Sequence, residues 1–422
     1  MRALLLTVGS QGDVQPYVAL AGRLRAAGHD VVLAAPALYQ GLDASIVPLD
    51  LDMTRVGAAV HGKHGLRHML AFTRAMGKQA KTFLPMLAEL ARGGADVVVH
   101  HPVLPLGQHL AELLRVPAVV ASPLPALVPT REFLSPAWPA TKIRPPTALN
   151  RSSYRAARYL TGAWCRKDVD RWRAEALGLD NSEKRRHDPI GDPDVTVLHA
   201  FSAHVVPRPR DWPSTARITG YWYLPHLEDW TPPRHLAEFL DAGEPPVFIG
   251  FGSMPVTDPA RLAGAVAAAT RETGTRAVLF SLDPRLRREL SQKNVSQKNV
   301  AVIRQAPHAW LFPRMSAVVH HGGAGTTGAA VRAGRPQVIW PFGIDQHFWA
   351  ERMADLGVAP RAKPVRALGA TTLADAIDRA TSDPVMRNRA ADLAYQVNAE
   401  DGTGTALTHL ESLTGGKTAV RA

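Results

Sequence analysis

Short apolar runs alternate with amphipathic stretches in the first half of the chain. RALLLTV at residues 2–8 is rich in strand-forming residues, and the segment 13–28 that follows has helical periodicity. Further runs at 30–36, 96–101 and 117–123 are apolar along most of their length. Strands that are apolar on both faces and separated by helices are typical of a parallel sheet with helices on both sides.

The same alternation restarts in the second half, after a stretch rich in Pro, Trp and charge. With 422 residues the chain is too long for one core, because single cores stop growing near about 250–300 residues. We therefore predict an α/β protein of two Rossmann-like domains, whose parallel sheets face an interdomain cleft. The predicted bounds are 1–217 for the first domain, 218–244 for a linker, 245–400 for the second domain, and 401–422 for a C-terminal helix and tail.

Composition narrows the function classes. The chain has 49 Lys and Arg against 37 Asp and Glu, a formal charge of +12, which suits nucleic acid, anionic lipid or a small anionic substrate. The excess is spread along the chain, and no zinc-finger, homeodomain or RNP-type motif accompanies it, so we expect no nucleic-acid partner. The single cysteine, Cys165, excludes an intrachain disulfide and a multi-cysteine metal site.

The N-terminus predicts a buried strand and not a signal peptide, since its short apolar run enters a Gly-rich turn without a small-residue cleavage site. No apolar run approaches the roughly 18–20 residues that span a bilayer. We therefore expect a cytoplasmic protein.

The strongest chemical signal is AVVHHGGAGTTGAAVRAG, residues 317–334. An apolar strand runs into His320 and His321, then a Gly-rich turn and the head of a helix. Exposed amides and the helix dipole favour an anion at such a helix start, and His321 can add a hydrogen bond or a positive charge to a diphosphate. The spacing matches neither a P-loop nor a dinucleotide fingerprint. The alternative is a tight turn with capping threonines.

Polar residues follow other predicted strands. Asp345 and Gln346 come after the next strand, at the carboxyl edge where open α/β sheets bind ligands. An adjacent carboxylate and amide suit a polyhydroxylated ligand. Ser253 lies in another turn at a strand end and is able to meet the same phosphate. For Asp345 and Ser253 the alternative is a helix cap.

In the first domain, Asp13 follows the first strand. A carboxylate that faces a cleft can act as a general base, and we expect partial burial to raise its pKa toward the working range. The alternative is again a cap of the following helix.

Other sequence patterns give weaker indications of function. The D-x-D triplets at 50–52, 168–170 and 192–194 lie away from the Gly-rich turn, and we interpret each as incidental. His61, His64 and His68 have no local carboxylate, so no metal site is expected. The tandem SQKNVSQKNV at 291–300 is interpreted as loop length.

Residues 320–353 resemble the donor-binding signature of glycosyltransferase family 1, and the resemblance extends over essentially the whole chain. GSQGDVQPYVALAGRLRAAGH, FIGFGSMP and QAPHAWLFPRMSAVVHHGGAG are its other matching stretches. The resemblance implies the GT-B fold, use of nucleotide-diphosphate sugars without a metal, and a last helix that crosses back to the first domain. Residues 125–139 and 307–327 look closest to sterol glucosyltransferases, with bacterial macrolide and glycopeptide glycosyltransferases a near second.

Residue by residue, the resemblance implies that Asp13 is the base. The residues that it places on the donor are Ser10, Ser253, His321, Gly323, Gly325 and Thr326 at the diphosphate, Gln305 and Ala306 at the nucleobase, and Asp345 and Gln346 at the sugar. Plant members place a glutamate on the ribose where this chain has Ala329. The choice between uridine and thymidine diphosphate therefore stays open.

The expected function is an inverting, metal-independent transfer of a hexose from a UDP- or TDP-sugar to a hydroxyl of a hydrophobic sterol-like or macrolide-like acceptor, with no cofactor. The alternatives are a nucleotide-sugar epimerase of the same fold and a non-catalytic module that binds sugar nucleotide or lipid.

A further hypothesis concerns the segment 65–91. Arg67, Arg74, Lys78 and Lys81 fall at helical spacings and form one stripe. Apolar residues supply much of the remaining surface: Leu66, Met69, Leu70, Phe72, Met76, Phe83, Leu84 and Leu87. The pattern predicts either weak, salt-sensitive contact with an anionic membrane or an ordinary solvated helix face.

Overall fold

The structure is a computed structural model of the chain. It describes residues 1–60, 65–138, 146–162, 166–179, 195–225, 230–252, 258–293, 296, 298–343, 345–364 and 367–415. The chain divides into two compact units. Unit 1 comprises Met1–Leu224 and the C-terminal segment from Glu400, and unit 2 comprises Pro225–Ala399.

Unit 1 contains a parallel sheet of seven strands among its described residues, in the order β3-β2-β1-β4-β5-β6-β7. The strands are β1 (Arg2–Leu6), β2 (Asp30–Pro36), β3 (Val47–Leu49), β4 (Val97–His100), β5 (Ala118–Ser122), β6 (Thr196–His199) and β7 (Ala216–Ile218). The direction in which strands are added reverses between β1 and β4. In open α/β sheets, ligands bind beyond the carboxyl ends of the strands at such a switch point.

Helices cover both faces of this sheet. They are α1 (Gln11–Ala26), α2 (Met53–Val60), α3 (Gly65–Arg92), α4 (Gly107–Leu114), α5 (Asn150–Gly162) and α6 (Arg166–Ala176). Because successive side chains of a strand point to opposite faces, Leu4 and Leu6 of β1 pack with α3, whereas Ala3 and Leu5 pack with α1. Burial on both sides explains why the strand is apolar throughout.

Unit 2 repeats the arrangement with five described strands in the order β10-β9-β8-β11-β12, all parallel. They are β8 (Val247–Gly250), β9 (Ala277–Phe280), β10 (Val300–Ile303), β11 (Ala317–His320) and β12 (Gln337–Ile339). Its helices are α7 (Arg234–Asp241), α8 (Pro259–Thr273), α9 (Pro284–Gln292), α10 (His308–Leu311), α11 (Ala324–Arg332), α12 (Gln346–Asp355), α13 (Ala370–Ser382) and α14 (Pro384–Asn398). The switch point of this sheet lies between β8 and β11. The predicted parallel α/β architecture is confirmed for both units.

The segment 218–244, predicted to be a linker, contains helix α7. Leu236 and Phe239 on this helix are buried against Phe248 of β8. Eight residues are too few for their periodicity to stand out from the surrounding Pro, Trp and charge. Helix α7 therefore belongs to the packing of unit 2, whereas Trp222, earlier in the segment, packs in the core of unit 1.

The last helix, α15 (Gly402–Gly415), packs on α1 in unit 1. Ala406 and Leu410 are fully buried in the same apolar cluster as Leu20 of α1. His29 Nε2 lies 2.9 Å from the Glu411 carboxylate. The C-terminal segment thus returns to the first unit. Within the part of the chain that the structure describes, no helix has both the length and the apolar composition needed to cross a membrane.

Candidate active site

Asp13 lies at the switch point of unit 1, in the first turn of the helix that follows β1. Ser10 is the N-cap of α1, and both its backbone N–H and its hydroxyl donate to Asp13 Oδ2, at 2.7 and 2.8 Å. The carboxylate therefore contributes to helix capping, as the alternative interpretation held, although Ser10 and not Asp13 is the N-cap. Its side chain is still 25% exposed, so the carboxylate stays accessible to a ligand.

Gly9 allows the carboxylate to sit close to the end of β1. Its φ is +125°, and a Cβ at this position would lie 2.4 Å from Asp13 Oδ2. Thr7 Oγ1 donates to the Asp13 backbone oxygen at 3.0 Å, and the Tyr39 hydroxyl donates to the Gly9 carbonyl at 3.0 Å. The turn between β1 and α1 is thereby held in one conformation around Asp13.

The other oxygen of Asp13 faces His101, a residue that the sequence analysis did not select. His101 directly follows β4 and is 4% exposed, and its Nε2 lies 3.5 Å from Asp13 Oδ1. The Val103 N–H donates to His101 Nδ1 at 3.3 Å. A neutral imidazole with an acceptor Nδ1 carries its proton on Nε2, so the N–H of His101 is on the edge of the ring nearest the carboxylate, without forming a hydrogen bond to it in this structure.

These neighbours set the charge of Asp13. Burial raises its pKa, but the interaction with His101 and the two hydrogen bonds from Ser10 together outweigh burial, so the net pKa lies below its usual value. The expectation that burial raises the pKa toward neutrality is therefore wrong. Asp13 is an ionised carboxylate at neutral pH, the form required to accept a proton.

In unit 2 the Gly-rich turn joins β11 to α11 at the switch point. Gly322 has φ +90°, and Gly323 is the N-cap of α11, without a capping side chain. Gly325 and Thr326 lie in the first helical turn, where backbone N–H groups have no intrahelical acceptor. Together with the helix dipole, these donors form a site suited to an anion.

His321 is held against this turn by two glycines. A Cβ on Gly252 would lie 2.8 Å from His321 Cε1, and a Cβ on Gly323 would lie 2.6 Å from His321 Nε2. Among the described residues, the buried Nδ1 of His321 has no hydrogen-bond partner. Burial lowers its pKa to about 4, so the ring is neutral at pH 7. Of the two roles left open by the sequence, the hydrogen bond fits and the positive charge does not.

His320 supports the turn from behind. The Gly322 N–H donates to His320 Nδ1 at 3.0 Å, so the proton of the neutral ring is on Nε2, 2.9 Å from Gln337 Oε1. Burial lowers the pKa of His320 to about 3. His320 therefore connects the Gly-rich turn to β12 and is a structural residue of the site.

Asp345 and Gln346 lie beside the same turn. Asp345 occupies the N-cap position of α12, but its side chain does not cap the helix. Gln346 Oε1 accepts from the backbone N–H groups of Phe342 and Gly343, at 2.7 and 3.2 Å. A Cβ on Gly322 would lie 3.0 Å from the Gln346 carbonyl oxygen. The start of α12 and the Gly-rich turn are therefore close together, and the Gln346 side chain is held by its oxygen.

Gln305 and Ala306 follow β10, at the edge of the sheet. Gln305 is exposed, and Ala306 packs against the apolar cluster around Phe248. His308, just after them, is a third histidine of this region and is half-buried; desolvation of its ring, and then the nearby His321, lower its pKa to about 4. Its ring stacks on Phe312 at a centroid distance of 4.3 Å. His308 lies within the family-like stretch 305–325 but carries no predicted role.

The remaining predicted residues either lie outside the described part of the chain or have a structural role. Ser253 lies outside the described residues, as do His61, His64 and the triplet 192–194. Asp52 accepts from the backbone N–H groups of Thr54 and Arg55 at the start of α2, which accounts for the triplet 50–52. Over the described ranges, no three His, Cys, Asp or Glu side chains are grouped as a metal site.

Comparison with known proteins identifies the family to which the chain belongs. Residues 3–128 match the model of the glycosyltransferase family 28 N-terminal domain, and residues 260–411 match that of the erythromycin biosynthesis protein CIII-like C-terminal domain. An O-mycaminosyltylonolide 6-deoxyallosyltransferase of Streptomyces fradiae is 34% identical, over 97% of this chain and 97% of the relative. The chain belongs to the GT-B glycosyltransferases.

Two further comparisons extend the family assignment. A sterol 3-beta-glucosyltransferase of Emericella nidulans is 35% identical over 96% of this GT-B family member, which spans 29% of that relative's length. The crystal structure of glycosyltransferase VinC in complex with DTDP superposes with a TM-score of 0.68 at 21% identity, over 98% of this chain and 100% of that one. This structural likeness supports the fold.

Proposed function

We propose that this GT-B family member transfers a hexose from a UDP- or TDP-sugar to a hydroxyl of a hydrophobic acceptor, with inversion at the anomeric carbon. The observation that carries the proposal is the chemistry at the two switch points. Unit 1 has an accessible ionised carboxylate there, and unit 2 has a helix N-terminus with a neutral buried imidazole. A proton acceptor and a diphosphate site are the two groups that a direct displacement requires.

Asp13 accepts the proton of the acceptor hydroxyl as the hydroxyl oxygen attacks the anomeric carbon. The C–O bond to the diphosphate breaks in the same step, and its electron pair stays on the β-phosphate oxygen. A base that is ionised at neutral pH is ready for this role without prior deprotonation, although its low pKa makes it a weak base. Removal of a general base lowers turnover by about 10²–10⁴-fold.

The leaving diphosphate is stabilised by the α11 N-terminus, where Gly323, Gly325 and Thr326 present backbone groups, and by a hydrogen bond from His321. Fixed dipoles directed at developing charge are effective in catalysis because they need no reorganisation. Under this proposal these dipoles stabilise the leaving diphosphate in place of a metal ion, and no cofactor takes part. Asp345 and the amide of Gln346 bind sugar hydroxyls, and Gln305 and Ala306 lie against the nucleobase.

The acceptor class is inferred from relatives. One is named a sterol glucosyltransferase and another a transferase acting on a tylonolide, and both names describe bulky alcohols of low polarity. The DTDP complex of the VinC structure supports testing TDP-sugars beside UDP-sugars. We propose a sterol-like or macrolide-like alcohol as the acceptor.

One incubation separates this function from its rivals. The protein is mixed with UDP-glucose or TDP-glucose and a panel of sterols and macrolide aglycones, and the products are weighed by mass spectrometry. A glycoside mass supports transfer. An isomerised donor without glycoside supports an epimerase, and binding of donor without any product supports a non-catalytic module; either result would overturn the proposal.

The basic stripe of α3 supports a second, weaker proposal. Arg67, Arg74, Lys78 and Lys81 are all exposed, and no ion pair involves them within the described structure. Half of the apolar residues expected beside the stripe are instead core: Met76, Phe83, Leu84 and Leu87. Hydrophobic insertion by these four residues is therefore excluded, and what remains is electrostatic attraction.

We propose that this stripe gives weak contact with anionic membranes, since each basic residue near such a surface contributes about 1 kcal/mol. The test is cosedimentation with phosphatidylserine vesicles at low and high salt. Binding at low salt that is lost in Arg74→Glu/Lys78→Glu supports the proposal. Absence of binding, or binding unaffected by the two substitutions, shows that the stripe is only a solvated helix face.

A further inference from the structure

His101 is the buried neighbour of Asp13, a half-buried carboxylate at the switch point of unit 1. The strand order places the end of β4 directly beside the end of β1, so residues that follow these two strands meet. Asp13 is 25% exposed and His101 only 4%. A ligand in solution therefore reaches Asp13, and His101 lies behind it.

The two oxygens of Asp13 have different partners. Oδ2 accepts both donors of Ser10, and Oδ1 lies 3.5 Å from Nε2 of His101. Nε2 makes no hydrogen bond to any described residue. The separation is longer than an ordinary hydrogen bond, and catalytic hydrogen bonds are often long in the absence of substrate and tighten when it binds.

We propose that His101 is a positioning residue for Asp13: its buried Nε2–H orients the carboxylate while the accessible part of the group accepts the substrate proton. This inference rests on the proposed function, in which Asp13 is the base. His101 does not itself touch substrate. It acts through the charge and orientation of Asp13.

Among the groups around the pair, two tyrosines have pKa values far above neutrality, and one histidine has a pKa in the range of a carboxyl group. Tyr17 packs edge-on against His101 at 6.1 Å, and burial raises its pKa well above the usual value. Burial, and then the charge of Asp13, raise the pKa of Tyr39 to about 12. His100, the preceding residue, has its pKa lowered to about 4 by burial. The acidic limb of the activity profile therefore contains both Asp13 and His100, and the NMR titration of the Asp13 carboxyl separates the two.

The test compares His101→Ala, His101→Gln and Tyr17→Phe. Glutamine places an N–H donor at the same number of bonds from the backbone as Nε2, whereas alanine removes the donor. Tyr17→Phe deletes a buried hydrogen bond to Ala121 O beside His101 but leaves both partners of the carboxylate in place. Circular dichroism and thermal denaturation establish that each variant is folded.

Two readouts are used. The first is kcat/KM against pH, and the second is direct titration of the Asp13 carboxyl by ¹³C NMR, which needs no activity. Loss of a donor that lowers the pKa must raise it, so in His101→Ala both the acidic limb and the NMR titration move upward by about one pH unit, the size expected for one weak hydrogen bond to a charge. His101→Gln recovers most of the shift, and Tyr17→Phe shows none.

Two results would overturn the inference: an Asp13 titration unchanged in His101→Ala, or His101→Gln as impaired as His101→Ala. Either makes His101 a core residue without influence on the carboxylate. If the proposed transfer activity itself fails, the NMR titration still decides whether His101 controls Asp13. The failures of the two proposals are thus distinguishable.

Discussion

Replacing Gly323 with alanine tests how the Gly-rich turn holds His321. The new Cβ would lie 2.6 Å from His321 Nε2 and 3.3 Å from Cε1. Real Cβ atoms do not approach other atoms so closely, so the imidazole must move. We expect the ring to leave the position from which it can donate to a diphosphate.

The magnitude follows from the hydrogen bond that is lost. A hydrogen bond to a charged group contributes about 1.5–3 kcal/mol, which corresponds to a dissociation constant roughly 10- to 150-fold higher. Isothermal titration calorimetry with UDP and with TDP measures this value directly. The matched control is Gly264→Ala in α8, where the new Cβ would meet the end of the flexible Lys293 side chain at 3.6 and 3.8 Å, ordinary van der Waals distances. It is expected to leave binding unchanged, and alanine is the better helix former.

A double-mutant cycle with His321→Ala decides whether Gly323 acts through the imidazole. If it does, Gly323→Ala adds little once His321 is gone. Wild-type affinity in Gly323→Ala, or full additivity of the two substitutions, refutes the reasoning.

Three further outcomes are expected. Burial lowers the pKa of His100, His308 and His321 to about 4. Between pH 6.5 and 4 the unfolded chain therefore binds more protons than the folded one. As the pH drops through this window, the free energy of unfolding should fall by about 1.4 kcal/mol per pH unit for each of these histidines. Urea denaturation at pH 7 and pH 5 measures this, and equal midpoints contradict it. Gln337→Leu leaves His320 Nε2–H without its acceptor and should cost about 1–3 kcal/mol in the same assay, whereas a neutral effect means that the ring finds another partner. EDTA should leave transfer activity unchanged, and a loss restored by Mg²⁺ or Mn²⁺ would show that a metal takes part.

The fold was predictable because its signal is physical and repeated. Strands buried on both faces must be apolar throughout, as β1 and β8 are, and their alternation with helices defines parallel sheets. The same argument predicted polar residues at the carboxyl edge of each sheet, since the carboxyl ends of parallel strands share one edge. The Gly-rich turn and Asp13 are therefore found at the switch points of their sheets.

The features that could not be predicted from the sequence depend on contacts between residues that are distant along the chain. His101 meets Asp13 only because β4 lies next to β1, and the strand order is not contained in the periodicity. The direction of the Asp13 pKa shift required the Ser10 and His101 contacts, which outweigh burial. His308 and helix α7 were missed because each belongs to a stretch too short to show a pattern of its own.

The most direct test of the central claim compares glycoside formation by the wild-type protein and by Asp13→Asn, with diphosphate affinity measured on the same samples. If Asp13 accepts the acceptor proton, the rate of glycoside formation falls by about 10²–10⁴-fold, while the dissociation constants for UDP and TDP stay within about twofold of wild type, because the diphosphate site is built by other residues. Full activity in Asp13→Asn would contradict the account.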